Sequence, residues 1–502
     1  MEGKAKTGIS PTRAEDFPQW FQTVVRDAEV AELDHVRGAM VIRPWGYGIW
    51  ELMQRALDDG IKQTGAVNAY FPLFIPLSYF EEEAKHVEGF AKEMAVVTHH
   101  RLEEGEDGKL HPAAELPEPL IVRPTSETII GRSFAKWINS YRDLPLMINQ
   151  WCNIVRWELR PRVLLRTTEF LWQEGHTAHA TEQEALEETR RMLHVYRDFA
   201  ESALAIPVIA GEKPEHERFP GAEITLSIEA MMQDGKALQS GTSHYLGQNF
   251  SGAMEMEFTD EDGERKLCYT TSWGLSTRMM GALVMTHADD NGLRVPPRVA
   301  PRQVRIIPIT RNDPTAVLQA ADELRAEIAG QSWDDEPVRV EVDTRERKPA
   351  EKRWEWIRKG VPLVIELGER DLEAGVVTVT RRDDPELTRD AIPREGAGDA
   401  VVGVLSDIQT GYYQEASERL RERTRDDITN LEEFREFFAG EDTESGGFVK
   451  APWSEEAETI ETMAELGVSV RVIPFDEELP PDARCVITGG PARVMAVFAK
   501  AY

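Results

Sequence analysis

Cysteine is scarce in this 502-residue chain: Cys152, Cys268 and Cys485 stand alone, 116 and 217 residues apart. No CxxC pair and no disulfide framework can be drawn from them, which fits a reducing compartment. Long apolar runs are missing too. The longest, Ala69 to Phe80, is broken by Pro72 and Pro76 and is too short to cross a bilayer. No apolar stretch follows Lys4 and Lys6, and Glu15 and Asp16 come soon after, so no secretory leader is read. An excess of positive charge is also lacking, since 58 Lys and Arg face 89 Asp and Glu, a formal net charge of −31. That balance excludes nucleic-acid binding through overall charge. It leaves open a local basic groove, because fields are screened within about 10 Å at 0.1 M salt. The expectation is a soluble, cytoplasmic protein with no membrane contact.

Apolar residues make up 41% of the chain and charged residues 29%, enough for two to four domains at about 150 residues each. Arginine outnumbers lysine 43 to 15; it suits bidentate phosphate contacts, although GC-rich codon usage explains the bias more simply. Near the start, Trp20, Phe21, Val24 and Val25 fall on one helical face. Pro44 opens a helix carrying Leu52, Leu57 and Ile61, with Gly60 and Gly65 as its stop. Residues 100–118, acidic and holding Gly and Pro, read as a surface loop. Two strand-like runs follow, MINQWCNIVRWELR and TEFLWQEGHTAHA, and then a helix announced by the Thr181–Glu184 capping box. Residues 222–283 read as further strands ending in a turn and an apolar helix. The proline-bearing stretch 291–302 reads as a linker. Beyond it VRIIPI, VRVEV and PLVIEL alternate with helical segments, as in a small α/β domain.

In the second strand-like run Phe170, Trp172, Glu174 and His176 share a face, because strand side chains alternate. Aromatic, acidic and imidazole groups on one face make poor core, since buried polar groups need partners, and a good pocket. Arg156, Glu158 and Arg166 lie close by in the sequence. A lone Arg–Glu pair would more simply be a cross-strand ion pair.

Five blocks carry a resemblance: RPTSE at Arg123–Glu127, NQWCNIVRWE at Asn149–Glu158, RTTEFLWQEGHTAHAT at Arg166–Thr181, ALQSGTSHYLGQNF at Ala237–Phe250 and TTSWGLSTR at Thr270–Arg278. In this order they resemble the prolyl-tRNA synthetase family, class II enzymes, in the form typical of archaea, eukaryotes and some bacteria. The likeness runs from about residue 15 to Tyr502. It implies an α+β catalytic domain (1–295) with an antiparallel sheet flanked by helices, an α/β anticodon-binding domain (296–402) and a small C-terminal α/β domain (403–502).

The resemblance also implies roles. Arg156 matches the motif 2 arginine that bridges the amino-acid carboxylate and the α-phosphate, and Arg278 the motif 3 arginine; these two are the expected catalytic residues. Arg156, Glu158, Arg166, Thr167, Phe170, Gln239, Thr242 and Arg278 form the expected ATP set, Phe170 and Arg278 sandwiching adenine. Mg²⁺ would arrive with ATP, near Gln239, and no protein thiol would hold a metal. Proline would meet Thr125 and Glu127 through its two N–H donors. Arg156 and Glu174 join that set, Trp172, His176 and His244 wall the ring, and Ser272 and Gly274 form the floor. The plainer reading of Thr-Ser-Glu is a helix cap.

Further expectations attach to the other regions. About ninety residues separate Thr181 from Thr271, too few for the editing insertion of bacterial-type relatives, so no editing of mischarged tRNA in cis is expected. Arg345, Lys348, Lys352, Arg353, Arg358 and Lys359 gather around one helix as a candidate tRNA surface, with Trp354 or Trp356 to stack on a base. Relatives often hold a structural zinc near the C-terminus. Here Ser454 stands where a cysteine is expected and only Cys485 remains, so zinc should be absent. The terminal Tyr502 matches a family ending that folds back toward the catalytic centre. The expected partners are tRNA(Pro), ATP, L-proline and, through motif 1 around Pro72, a second copy of the chain. Another class II synthetase, for threonine or glycine, or a relative that has lost catalysis, are the alternatives.

Overall fold

In the computed structural model, residues 8–82, 93–310, 313–440 and 446–502 are described; Lys4 and Lys6 lie outside them. Helix α1 (Phe17–Asp27) is capped by Asp16, which accepts the Gln19 N–H at 3.0 Å, and buries Trp20, Phe21, Val24 and Val25. Helix α2 (Pro44–Gln63) starts on a proline that needs no N–H partner and runs on through Gly60. The stop comes at Gly65, whose φ of +97° favours glycine.

Residues 100–118 are more ordered than a loop. Leu102–Glu104 pairs with Leu110–Pro112 as a hairpin, and the strand Glu115–Val122 begins within the stretch. Every residue of its two strands is exposed, so the apolar alternation that reveals a strand is missing. Helix α3 (Glu127–Trp137) then leads to the central sheet.

That sheet is built from β1 (Leu146–Val155), β2 (Glu169–His179), β3 (Val208–Glu212), β4 (Ile224–Met231), β5 (Ala237–Gly247) and β6 (Tyr269–Ser276), in the order β3-β4-β5-β6-β2-β1 with every pair antiparallel. Helix α4 (Glu182–Asp198), opened by the reciprocal Thr181–Glu184 box, packs on one face through Met192, Leu193 and Tyr196. The TTSWG block, expected to be a turn, is the body of β6, and α5 (Arg278–His287) follows it directly. Its Thr-Thr-Ser-Trp text suits a strand with neighbours on both sides.

The stretch 291–302 is no loose linker. Leu293, Val295, Val299 and Ala300 are buried in the main core cluster. Beyond it β7 (Val304–Ile309), α6 (Thr315–Ala329), β8 (Val340–Val342), α7 (Pro349–Arg358), β9 (Leu363–Gly368), β10 (Val376–Arg381) and β11 (Asp390–Pro393) form a sheet of order β8-β7-β9-β10-β11, parallel at β8-β7-β9 and antiparallel afterwards. The fully buried Arg382 locks this unit to the first. It donates to the carbonyls of Leu293 and Ile357 and forms an ion pair with Asp289. Helix α8 (Ala397–Glu422) runs unbroken across position 402/403.

The last region adds β12 (Phe448–Trp453), β13 (Ser469–Pro474) and β14 (Val494–Ala499). Strand β13 pairs with β3 through Gly211–Pro474 and Glu212–Ile473, so the central and C-terminal strands belong to one 11-stranded sheet. A Cβ at Gly211 would lie 2.4 Å from the Ile473 carbonyl oxygen, so glycine permits this junction. Among the described residues no helix is long and apolar enough to cross a membrane.

Candidate active site

One face of the central sheet opens into a cavity of about 370 Å³. Strand register explains its lining. Glu174 on β2 stands beside Gln150 on β1 and Gly274 on β6, and Thr242 on β5 continues the row. One step along, His176, Ser272 and His244 form a second row. A Cβ at Gly274 would lie 2.6 Å from the Trp172 ring, so glycine lets the indole lie across its neighbouring strand.

Carboxylates and their donors organise the deep end. Glu174 is buried and accepts from Ser126 Oγ at 2.5 Å, Gln150 Nε2 at 2.8 Å and Cys152 Sγ at 3.4 Å, while His176 Nε2 lies 3.3 Å from its other oxygen. Burial pushes its proton affinity up, but the donors from His176, Ser126 and Gln150 outweigh it and hold the carboxylate at about 2. The same pairing works on His176, where burial is opposed by Glu174 and Glu127 and the net direction is upward. Burial instead pushes His244 down to about 3, with His176 adding repulsion, so that ring is neutral at pH 7.

The Thr-Ser-Glu segment is not a side-chain cap. Ser126 occupies the N-cap position of α3 without a cap hydrogen bond and spends its hydroxyl on Glu174. Thr125 Oγ1 donates to Glu127 Oε2, and both residues line the cavity.

Three guanidinium groups line the same cavity. Arg156 lies just beyond β1 and not within it, donates to the Pro124 carbonyl at 2.9 Å and sits 5.7 Å from the Phe170 ring centroid and 5.8 Å from that of Trp172. Arg166, on the loop between β1 and β2, is exposed and pairs with Glu158 at 2.9 Å. Arg278 opens α5 and donates to the Leu165 carbonyl at 3.1 Å. Burial and the like charges of Arg166 and Arg156 lower its proton affinity to about 10. Like charges brought together in this way form a ready site for a polyanion.

All sixteen residues expected at the site line this one cavity: Thr125, Glu127, Arg156, Glu158, Arg166, Thr167, Phe170, Trp172, Glu174, His176, Gln239, Thr242, His244, Ser272, Gly274 and Arg278. Sequence reasoning missed Lys213, Arg218, Phe219 and Pro220, which form another wall. They lie in a charged, proline-bearing text that looks like solvated loop, and only the approach of β3 to β4 brings them in. No group of three or more His, Cys, Asp or Glu suited to a metal ion occurs among the described residues.

One expectation outside the cavity needs correction. The cations around α7 do not form an open basic face. Arg345 pairs with Asp343 and Glu355, Lys348 faces Glu351, Lys352 reaches Asp343, Arg353 meets Glu366, and Lys359 reaches Glu29 and Glu355; Arg358 alone of the six has no ion pair among the described residues. Trp356 is buried, donates to Asp343 Oδ2 at 2.8 Å and lies 3.8 Å from the Arg305 guanidinium, so it is closed to a base, whereas Trp354 is half-buried. At the C-terminus Tyr502 folds back: its N–H donates to Ala237 O and its hydroxyl to Asp234 Oδ2 at 2.6 Å, with Arg162 over its ring, and it does not line the cavity.

An antiparallel sheet with converging arginines and a strand-to-helix arginine after β6 is the architecture of class II aminoacyl-tRNA synthetases. Residues 111–287 match the class II tRNA synthetase core domain shared by the G, H, P, S and T enzymes. Residues 303–402 match an anticodon binding domain and 434–502 a prolyl-tRNA synthetase C-terminal domain. The chain is 54% identical over 504 residues to a proline–tRNA ligase of Paramagnetospirillum magneticum, with both chains covered in full. Proline–tRNA ligases of Protochlamydia amoebophila and Rhodopirellula baltica are each 53% identical over 505 residues, covering at least 99% of both chains. The chain therefore belongs to the prolyl-tRNA synthetase family.

Proposed function

We infer that this chain is a proline–tRNA ligase. The observation that carries the reading is the convergence in one cavity of Arg156, Arg166 and Arg278 with Thr125 and Glu127. In the first step a proline carboxylate oxygen attacks the α-phosphorus of ATP, forming prolyl-adenylate and releasing pyrophosphate. Two anions must meet, so Arg156 bridges carboxylate and α-phosphate while Arg166 takes the phosphate tail. Phe170 and Arg278 hold adenine between them, with Thr167, Glu158 and Thr242 along its edge and ribose. Glu127 and Thr125 receive the two N–H groups of the prolyl nitrogen. Trp172, His176 and neutral His244 enclose the ring over Ser272 and Gly274. Glu174 acts by fixing Ser126 and His176, since its own oxygens are already engaged. In the second step the 3′-terminal hydroxyl of tRNA(Pro) attacks the prolyl carbonyl and AMP leaves. Positioning and charge stabilisation account for this chemistry without a protein base.

Mg²⁺ fits as a companion of ATP. Gln239 offers one half-buried amide oxygen at the cavity wall, and Mg²⁺ commonly completes its shell with phosphate oxygens and water. When bound, it would neutralise phosphate charge. A structural zinc is not expected: Ser454 Oγ donates to the Pro491 carbonyl at 2.7 Å, and Cys485 is buried. Elemental analysis finding stoichiometric zinc would contradict this.

The expected division at 295/296 and 402/403 remains our working partition. We also propose a two-fold homodimer, since Val67, Tyr70, Phe74 and Val96 around motif 1 are exposed apolar residues; sedimentation equilibrium measures it. A cytoplasmic location follows from the translational role. Editing in cis is not expected, because the elements between Thr181 and Thr271 include α4 and β3–β5 of the central sheet. Deacylation of alanyl-tRNA(Pro) by the purified protein would overturn that. The decisive test of function is ATP–pyrophosphate exchange with a panel of amino acids: proline should dominate, and a dominant threonine or glycine signal would replace this reading.

A further inference from the structure

The segment 213–221 walls the cavity although no motif points to it. Phe219 stacks on His244 with ring centroids 4.6 Å apart. Its N–H donates to Thr225 Oγ1, which also meets His244 Nδ1 at 3.1 Å. The placing of Phe219 therefore fixes the imidazole that faces the amino-acid end of the cavity.

The C-terminal region holds the first half of this segment at two points. At its root β3 is paired with β13, and the next residue, Lys213, reaches Glu229 Oε1 on β4 at 2.9 Å. The other Glu229 oxygen accepts two N–H groups of Arg471 on β13, at 3.1 and 2.9 Å. Lys213 and Glu229 are only 2% and 0% exposed, so this carboxylate depends on its two cations for compensation. Two residues after Lys213 the segment meets Glu455, which lies just beyond β12, 240 residues from Glu215 in the chain. Its two oxygens accept the backbone N–H groups of Glu215 and His216, each at 3.0 Å, and Oε1 meets His216 Nδ1 at 2.7 Å. A carboxylate gripping consecutive backbone donors fixes a short turn firmly.

We propose that Glu455 and Arg471 are positioning residues for proline: they hold segment 213–221 against the cavity so that Phe219 backs His244 and Lys213 stays at the wall. This rests on reading the cavity as the proline and ATP site. A purely adhesive role would lower thermal stability without changing substrate affinity.

Steady-state exchange kinetics separate the two. Glu455→Ala should raise the KM for proline about tenfold, the scale of lost charge-assisted hydrogen bonds, while kcat and the KM for ATP change less than about twofold. Glu455→Gln keeps one acceptor and should fall between. Hydrogen exchange at the Glu215 and His216 amides should quicken in Glu455→Ala. Arg471→Met should also raise the proline KM; if it does not fold, the half-exposed Glu455 site decides alone. Exchange that is present but unchanged in proline KM in folded Glu455→Ala overturns the inference only. Absence of proline-dependent exchange in the unsubstituted protein overturns the reading of the cavity and the inference with it.

Discussion

Arg156 and Arg166, ten residues apart, meet Arg278 from a distant strand-to-helix junction at one cavity, where Arg166 pairs with Glu158 and Arg278 faces like charge. Arg345, Lys348, Lys352, Arg353 and Lys359 instead crowd into one short stretch and each meets an acid. The dispersed set looks unremarkable in the sequence and the crowded set looks functional. Folding reverses the impression. Arg278 has like charges for neighbours, and burial with their repulsion lowers its proton affinity. Around α7 the reverse holds: although burial opposes it, donors from Arg345 and Trp356 keep Asp343 well below the usual carboxylate range. Convergence of like charge marks a ligand site, while matched charge marks a finished structural network.

Substitution within the cavity set should break the contrast hardest. Arg156→Ala is expected to lower kcat/KM in proline-dependent exchange by about 10³-fold, the upper range for removing a preorganised charge donor, with an unchanged circular dichroism spectrum. Glu127→Gln should come next, reducing kcat/KM for proline about a hundredfold while ATP binding, read by calorimetry, stays near the unsubstituted value.

The Glu174–His176 pair gives a smaller effect and one with a sign. Glu174 lies below its ordinary value of 4.5, at about 2, so its stabilisation is present above pH 4.5 and is lost as pH falls toward 2. His176 lies above its ordinary 6.5, so its share is complete below that pH and is lost as pH rises through the folded value. Melting temperature measured against pH should follow both slopes, and Glu174→Gln should flatten the acidic one. The α7 cations should matter least. Lys348→Ala is expected to change the tRNA KM less than about twofold, since an exposed ion pair contributes little.

The same comparison shows what was legible beforehand. Residues whose chemistry is local could be read: the Thr181 cap, the buried stripe of α1, and the alternation that puts Phe170, Trp172, Glu174 and His176 on one face. The catalytic blocks were legible through their resemblance to a known family, which each carries over a short span. Pairings distant in the chain could not be read. Lys359 finds Glu29, Arg353 finds Glu366, and the wall at 213–221 finds Glu455 directly and Arg471 through Glu229 only once the strands have paired. The hairpin within 100–118 escaped for another reason, since it buries nothing and so leaves no apolar period.

Binding of a sulfamoyl analogue of prolyl-adenylate, followed by isothermal titration calorimetry, tests the central claim most directly, because the ligand spans both ends of the cavity. One molecule per chain should bind at least about a hundredfold more tightly than proline or ATP alone, and Arg156→Ala should remove most of that gain. Binding no tighter than either substrate, or equal affinity for the threonyl analogue, would contradict the account.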